Sequence, residues 1–289
     1  MNLFGTESKR SGGAMRVLAL ALLLILRAGT LSAQEEHTVW NCLPDGPVVE
    51  GFKENFFVTG IPLNAEPDYD TNDLSFQVSL KFNMLQFPDS WKVFWGYSQL
   101  SIWEIYKPSN PFKGNTYADG LYVYHTSKDG RREFLGGYEH RSNGLDSHAS
   151  RSLDYGFISF TRRFSDCFTG QITGRFGIGS IGNDFSLEMF NRYEGYLNMA
   201  CCFNSRDRRF LASLSATPLF GGGDIPANVS AELAFRPTRN VDWFYLTARY
   251  HFGYDEEQGD CANPDVFLKH MLRFGLSVQP SRMSHKLFF

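Results

Sequence analysis

Long apolar runs are almost missing from this sequence. Residues 17–26 form one wholly apolar stretch, and ten residues fall well short of the roughly 20 that a membrane-crossing helix needs. No other run comes near that length, so any crossing of a bilayer has to use strands. Cysteine is scarce as well. Cys42, Cys167, Cys201, Cys202 and Cys261 form no CxxC pair or other metal-ligand spacing. Cys201 and Cys202 are adjacent, so on a strand they point to opposite faces and do not bridge each other. A Cys42–Cys261 bridge requires an oxidising compartment, and the sequence does not establish it. Neither sign of charge dominates: the formal net charge is -3 and no basic cluster stands out. That excludes a nucleic-acid surface.

What the chain does have is rings and glycine. Aromatics make up 16% of the 289 residues, with 27 Phe and 13 Tyr, and there are 27 Gly. Lys9, Arg10 and Arg16 precede the apolar run, and Leu31-Ser32-Ala33 supplies small residues after it. This pattern predicts a secretion signal over residues 1–33, cleaved before Gln34, and a single exported domain over residues 34–289. A membrane-anchor helix is the rival reading of the same run, and its length argues against it.

An aromatic-rich, glycine-rich and moderately polar chain fits a transmembrane barrel, whose outward apolar positions alternate with polar ones. A soluble β-sandwich shares the composition, and strand length separates the two. Residues 74–82 alternate without a fault: Leu, Phe, Val, Leu and Phe on one face, Ser, Gln, Ser and Lys on the other. Nine to eleven residues is what a tilted membrane strand requires. Further strands are expected over residues 55–60, 91–105, 120–125, 133–142, 150–164, 169–176, 193–203, 210–217, 229–235, 244–252 and 270–278. The reading is all-β: a 12-stranded antiparallel transmembrane β-barrel built as a meander, its edges paired. Trp91, Trp95, Trp103, Trp243, Phe244 and Tyr245 are expected at the lipid–water boundaries.

The chemistry concentrates in residues 138–155. His140 and Ser142 are two apart, so on a strand they leave the same face. A hairpin centred near Ser147 places His140 opposite Asp154 and Ser142 opposite Ser152. Opposed side chains have Cβ atoms about 4.5–5.5 Å apart. One surface then carries an acid, an imidazole and a hydroxyl, the set a nucleophilic serine needs. A serine two residues from a histidine is more often plain surface, so the wider motif decides.

That wider motif, His140-x-Ser142-Asn143-Gly144 followed by Ser150-Arg151-Ser152, resembles the outer membrane phospholipase A family. The similarity extends over about residues 74–279, with a second block at Tyr97-Ser98-Gln99-Leu100-Ser101-Ile102-Trp103 and Ser109-Asn110-Pro111-Phe112. The resemblance implies a bacterial outer-membrane barrel that hydrolyses phospholipid acyl esters and works as a homodimer. It implies Ser142 as nucleophile, His140 as general base and Gly144 as oxyanion donor. The family's third catalytic member is usually Asn, and Asp154 stands there; either oxygen accepts from a ring N–H. A Ca2+ cofactor is implied too, held by the Ser150 hydroxyl, the Leu145 main-chain carbonyl and the partner subunit's Ser109. Leu145 replaces the family's Arg, which a backbone ligand tolerates. Gln99 matches a position at the dimer interface. Two other readings stay open: a passive pore or adhesin with a degenerate motif, and a lipid A deacylase.

Overall fold

The computed structural model describes residues 44, 46–146, 150, 152–179, 190–241, 243–254 and 268–279. The secretion signal, Cys42, Cys261 and the carboxyl tail lie outside the described residues. Thirteen strands follow in chain order: β1 (Val49–Gly51), β2 (Asn55–Pro62), β3 (Asp73–Phe87), β4 (Trp91–Trp103), β5 (Phe112–Thr126), β6 (Arg132–Ser142) and β7 (Ser152–Arg163); then β8 (Phe168–Gly179), β9 (Leu197–Asn204), β10 (Phe210–Pro218), β11 (Ala227–Phe235), β12 (Phe244–Tyr254) and β13 (Leu268–Val278). Each pairs antiparallel with its sequence neighbour from β2 onward, and β13 returns to pair with β2. The sheet closes through β2 and β13, which removes the long edges that could recruit a foreign strand; among the described residues the short β1 pairs with β3 alone.

Thirteen segments make a twelve-stranded barrel because β1 and β2 share one neighbour. Both pair with β3, β1 at residues 80–82 and β2 at residues 73–77. They are one strand interrupted at Phe52, Lys53 and Glu54, whose side chains are buried. The ladder bonds lost at the interruption are replaced by side chains. The Asn55 amide donates to the Ser79 carbonyl at 3.3 Å and accepts from the Ser79 N–H at 2.6 Å. The Gln77 side-chain amide donates to the Glu54 carbonyl at 2.6 Å. A backbone out of register still has its polar groups satisfied.

The burial pattern is that of a soluble protein turned inside out. On β3, Val78, Leu80 and Phe82 are exposed, whereas Ser75, Ser79 and Lys81 are buried. The same inversion holds on β7 and β8, where Ile158, Phe160, Ile172 and Phe176 face outward and Ser159, Thr161, Gln171 and Thr173 face the lumen. Water cannot pair backbone groups in hydrocarbon, so a closed barrel with an apolar exterior is the form these strands can take there. Trp91, Trp95 and Trp243 are exposed, as expected of boundary rings. Tyr245 is not: it is buried in the lumen with Cys202, Leu211 and Ala234, because strand parity turns it inward. Cys201 and Cys202 are both free thiols.

Candidate active site

Strands β6 and β7 assemble the site. Their register pairs His140 with Asp154 and Ser142 with Ser152, the pairing a hairpin centred near residue 147 demands. Glu139 is buried and Arg141 bonds to it inside the barrel. Alternation therefore turns Tyr138, His140 and Ser142 to the outer wall. His140 Nδ1 lies 2.8 Å from Asp154 Oδ1. That bond commits one ring nitrogen to the carboxylate and leaves Nε2 to act as a base. The Ser142 hydroxyl sits one pleat along on the same face. Among the described residues, the ring's one hydrogen bond is to Asp154. Catalytic hydrogen bonds commonly tighten only once substrate is bound.

Three neighbours of the His140–Asp154 pair escaped the sequence reading. Tyr138 donates its hydroxyl to the same Asp154 oxygen at 2.6 Å. Its position, two residues before His140 and diagonal to Asp154, is the signal that could have found it. On the other side of β6, the register places Asp119 opposite His140 and Tyr117 opposite Ser142. The imidazole thus stands between acidic residues of two strands, and it bonds the one on β7.

The connection after Ser142 is held by local bonds. Asn143 is buried, and its Oδ1 accepts from the Leu145 N–H at 3.2 Å. Gly144 has φ +69°, and a Cβ there would meet Tyr117 Cε2 at 2.5 Å. Both the backbone conformation and the ring demand glycine. Leu145 is left exposed beyond it.

The remaining predicted residues fall into two places. Gly144, Leu145 and Ser150 lie on the β6–β7 connection, between Ser142 and Asp154. Ser109 lies on the separate β4–β5 connection, exposed and at φ +71°. Gln99 is half-buried on the outer wall of β4. It accepts from the Tyr97 hydroxyl at 3.2 Å and donates to Ser101 at 3.1 Å, and Ser101 donates to Asn115 at 2.6 Å. This polar ladder interrupts the apolar exterior across Tyr117 from Ser142. Among the described residues no group of three or more His, Cys, Asp or Glu could hold a metal. A cation near Ser142 would rest on neutral oxygens, the Leu145 carbonyl and the Ser150 hydroxyl. Such donors suit a hard ion bound weakly.

Inside the wall, directly behind His140, Glu139 is fully buried. Lys53 Nζ lies 2.9 Å from its Oε2, the Tyr122 hydroxyl donates to that oxygen at 2.7 Å, and Tyr155 and Arg141 bond Oε1. The cluster pins β5, β6 and β7 to the interrupted first strand, so the outward site has a rigid backing.

The family model described as Phospholipase A1 matches residues 57–256. Among solved structures, the chain is similar to the Salmonella typhi outer membrane phospholipase dimer with bound calcium, at 17% identity and a TM-score of 0.67; the match covers 84% of this chain and 97% of that one. It is similar to outer membrane phospholipase A from Escherichia coli at the same identity and TM-score, over 82% of this chain and 94% of that one. A comparison with curated proteins finds no match.

Proposed function

The chain belongs to the phospholipase A1 family, and from that premise we propose that it hydrolyses acyl esters of phospholipids, at the sn-1 or sn-2 position and in lysophospholipids, through Ser142. The observation that carries this reading is the outward-facing His140–Asp154 pair, bonded at 2.8 Å, with Ser142 on the same face above an apolar wall. A lipid can reach that face without entering the barrel. Its acyl chain can lie along Ile158 and Phe176, both exposed below the site.

In the proposed reaction His140 Nε2 takes the Ser142 proton as the hydroxyl oxygen attacks the ester carbonyl. Asp154 holds the ring through Nδ1 and stabilises the imidazolium that forms. The Gly144 N–H donates to the oxyanion. The imidazolium then protonates the departing alcohol oxygen, leaving fatty acid esterified to Ser142. Water, deprotonated by His140, releases it. Leu145, Ser150 and the partner subunit's Ser109 would hold calcium, which when bound polarises the ester carbonyl. Splitting the donors between copies makes activity depend on dimerisation. Gln99 fits a contact within the membrane, since its two bonds inside the chain leave one amide hydrogen and one lone pair. Residues 1–33 would direct export to the bacterial outer membrane.

The test is fatty-acid release from phospholipid in detergent, with calcium or with EDTA, by the parent and by Ser142→Ala. Calcium-dependent release that disappears in Ser142→Ala is expected. Equal release by the variant rejects Ser142 as nucleophile. Release from lipid A and not from phospholipid points to the deacylase.

A further inference from the structure

The residue between the proposed base and nucleophile points the other way. Arg141 enters the lumen, where its Nη1 lies 3.1 Å from Glu194 Oε2. Glu194 also faces Arg175, whose Nη1 is 3.8 Å away. Glu194 therefore serves two guanidiniums; Arg141 also has Glu139, whereas among the described residues Glu194 is the carboxylate paired with Arg175. The Arg175 side chain is only 6% exposed, and its Nε–H has no acceptor. Asn198 stands diagonally across the β8–β9 ladder, where it pairs with Thr173. It is 5% exposed; its amide nitrogen donates to Thr217 at 2.8 Å, and its Oδ1 has no partner. Arg141, Arg175, Glu194 and Asn198 line one cavity of about 240 Å³ inside the barrel.

Water in this cavity would satisfy the orphaned atoms but not the charge. Removing an ion from water costs several kcal/mol unless a counterion is close, and at 3.8 Å a shared carboxylate is a poor one for Arg175. A guanidinium fork matches a tetrahedral oxyanion better than any other side chain does. We propose that the cavity binds a small protonated oxyanion of the phosphate class, seated on Arg175 and flanked by Arg141, with its P–OH donating to Asn198 Oδ1. The anion would sit behind the wall that carries His140 and Ser142, joined to it by Arg141. Hydrolysis is not assumed, since binding can be read on a chain without its nucleophile.

The experiment uses the full chain carrying Ser142→Ala, folded in a phosphate-free detergent, and follows the ³¹P linewidth of inorganic phosphate on titration. Saturable broadening is expected. Arg175→Gln in the same background should weaken the affinity at least about tenfold, because a charge-assisted contact is lost. Heat-modifiable migration on a gel shows that each variant is folded. If Arg175→Gln does not fold, Asn198→Leu takes its place, with a smaller loss expected. No saturable broadening in the Ser142→Ala chain, or an unchanged affinity in the folded variant, overturns the site.

Discussion

One oxygen of Asp154 accepts from both His140 and Tyr138. Such shared acceptance holds the carboxylate against rotation, so Tyr138→Phe is expected to leave KM alone and lower kcat several-fold, about 1 kcal/mol for one hydrogen bond. Steady-state kinetics on a soluble ester would show it. Asp154→Asn should keep activity within about tenfold, because an amide oxygen can still accept from the ring. Asp154→Ala removes the acceptor and should lose about 10²-fold, at the low end for a general-base device. At this scale the sequence was readable wherever parity and motif agreed: His140 bonds Asp154 and Ser142 faces Ser152, as the hairpin arithmetic puts them. Tyr138 was legible only in its position diagonal to Asp154, since a tyrosine on the outside of a barrel is ordinary and nothing in its identity reveals a bond to a neighbouring strand.

Strands were legible where alternation was clean and lost where function or packing replaced it. β5 starts at Phe112, not at residue 120, because the stretch through Asp119 carries Gly114, Asn115 and Asp119, which read as turn residues. They pair with β4 nonetheless, two of them in the polar band through Gln99. β9 starts at Leu197, not at residue 193, because residues 190–194 close a π turn first. The inward cluster gives this scale its sharpest prediction. Glu139→Ala leaves Lys53 and Arg141 facing each other without their shared carboxylate, and about 3–5 kcal/mol of stability should be lost. Urea unfolding in detergent measures it. The short turns respond to acid instead. Asp207 accepts from the Ser205 hydroxyl and the Arg209 N–H, and these bonds hold its carboxyl below the usual aspartate range. A carboxyl depressed in the folded state stabilises the fold above its unfolded value, near pH 4, and that contribution disappears as pH falls through the folded value. Exchange of the Arg209 amide should therefore quicken only in strong acid, and Asp207→Asn should abolish that pH dependence.

For the molecule as a whole, the inverted burial pattern fixes the solvent: lipid outside, and within, a charged and hydrogen-bonded filling packed with buried rings such as Phe52, Phe94 and Tyr122. The class of fold could be read from clean alternation over nine residues at 74–82 taken with strand length, since alternation alone also suits a soluble sandwich. Closure was legible in the even strand count, and β13 does return to pair with β2; the interruption of the first strand was not, since it depends on partners far away in the chain. The polar ladder through Gln99 sets an expectation for assembly. Interhelical hydrogen bonds in membranes average about 0.6 kcal/mol; on that scale Gln99→Ala should weaken dimerisation about threefold, readable by analytical ultracentrifugation in detergent with calcium. An unchanged monomer–dimer balance would remove Gln99 from the interface.

The break at Phe52, Lys53 and Glu54 gives one segment two duties. The strand that seals the cylinder also delivers its stopper, so the wall cannot be completed while the bore stands vacant. Lys53 reaches Glu139 only after β6 is in place. Opening the β2–β13 seam would therefore also loosen the buried bonds that back His140 from inside the barrel.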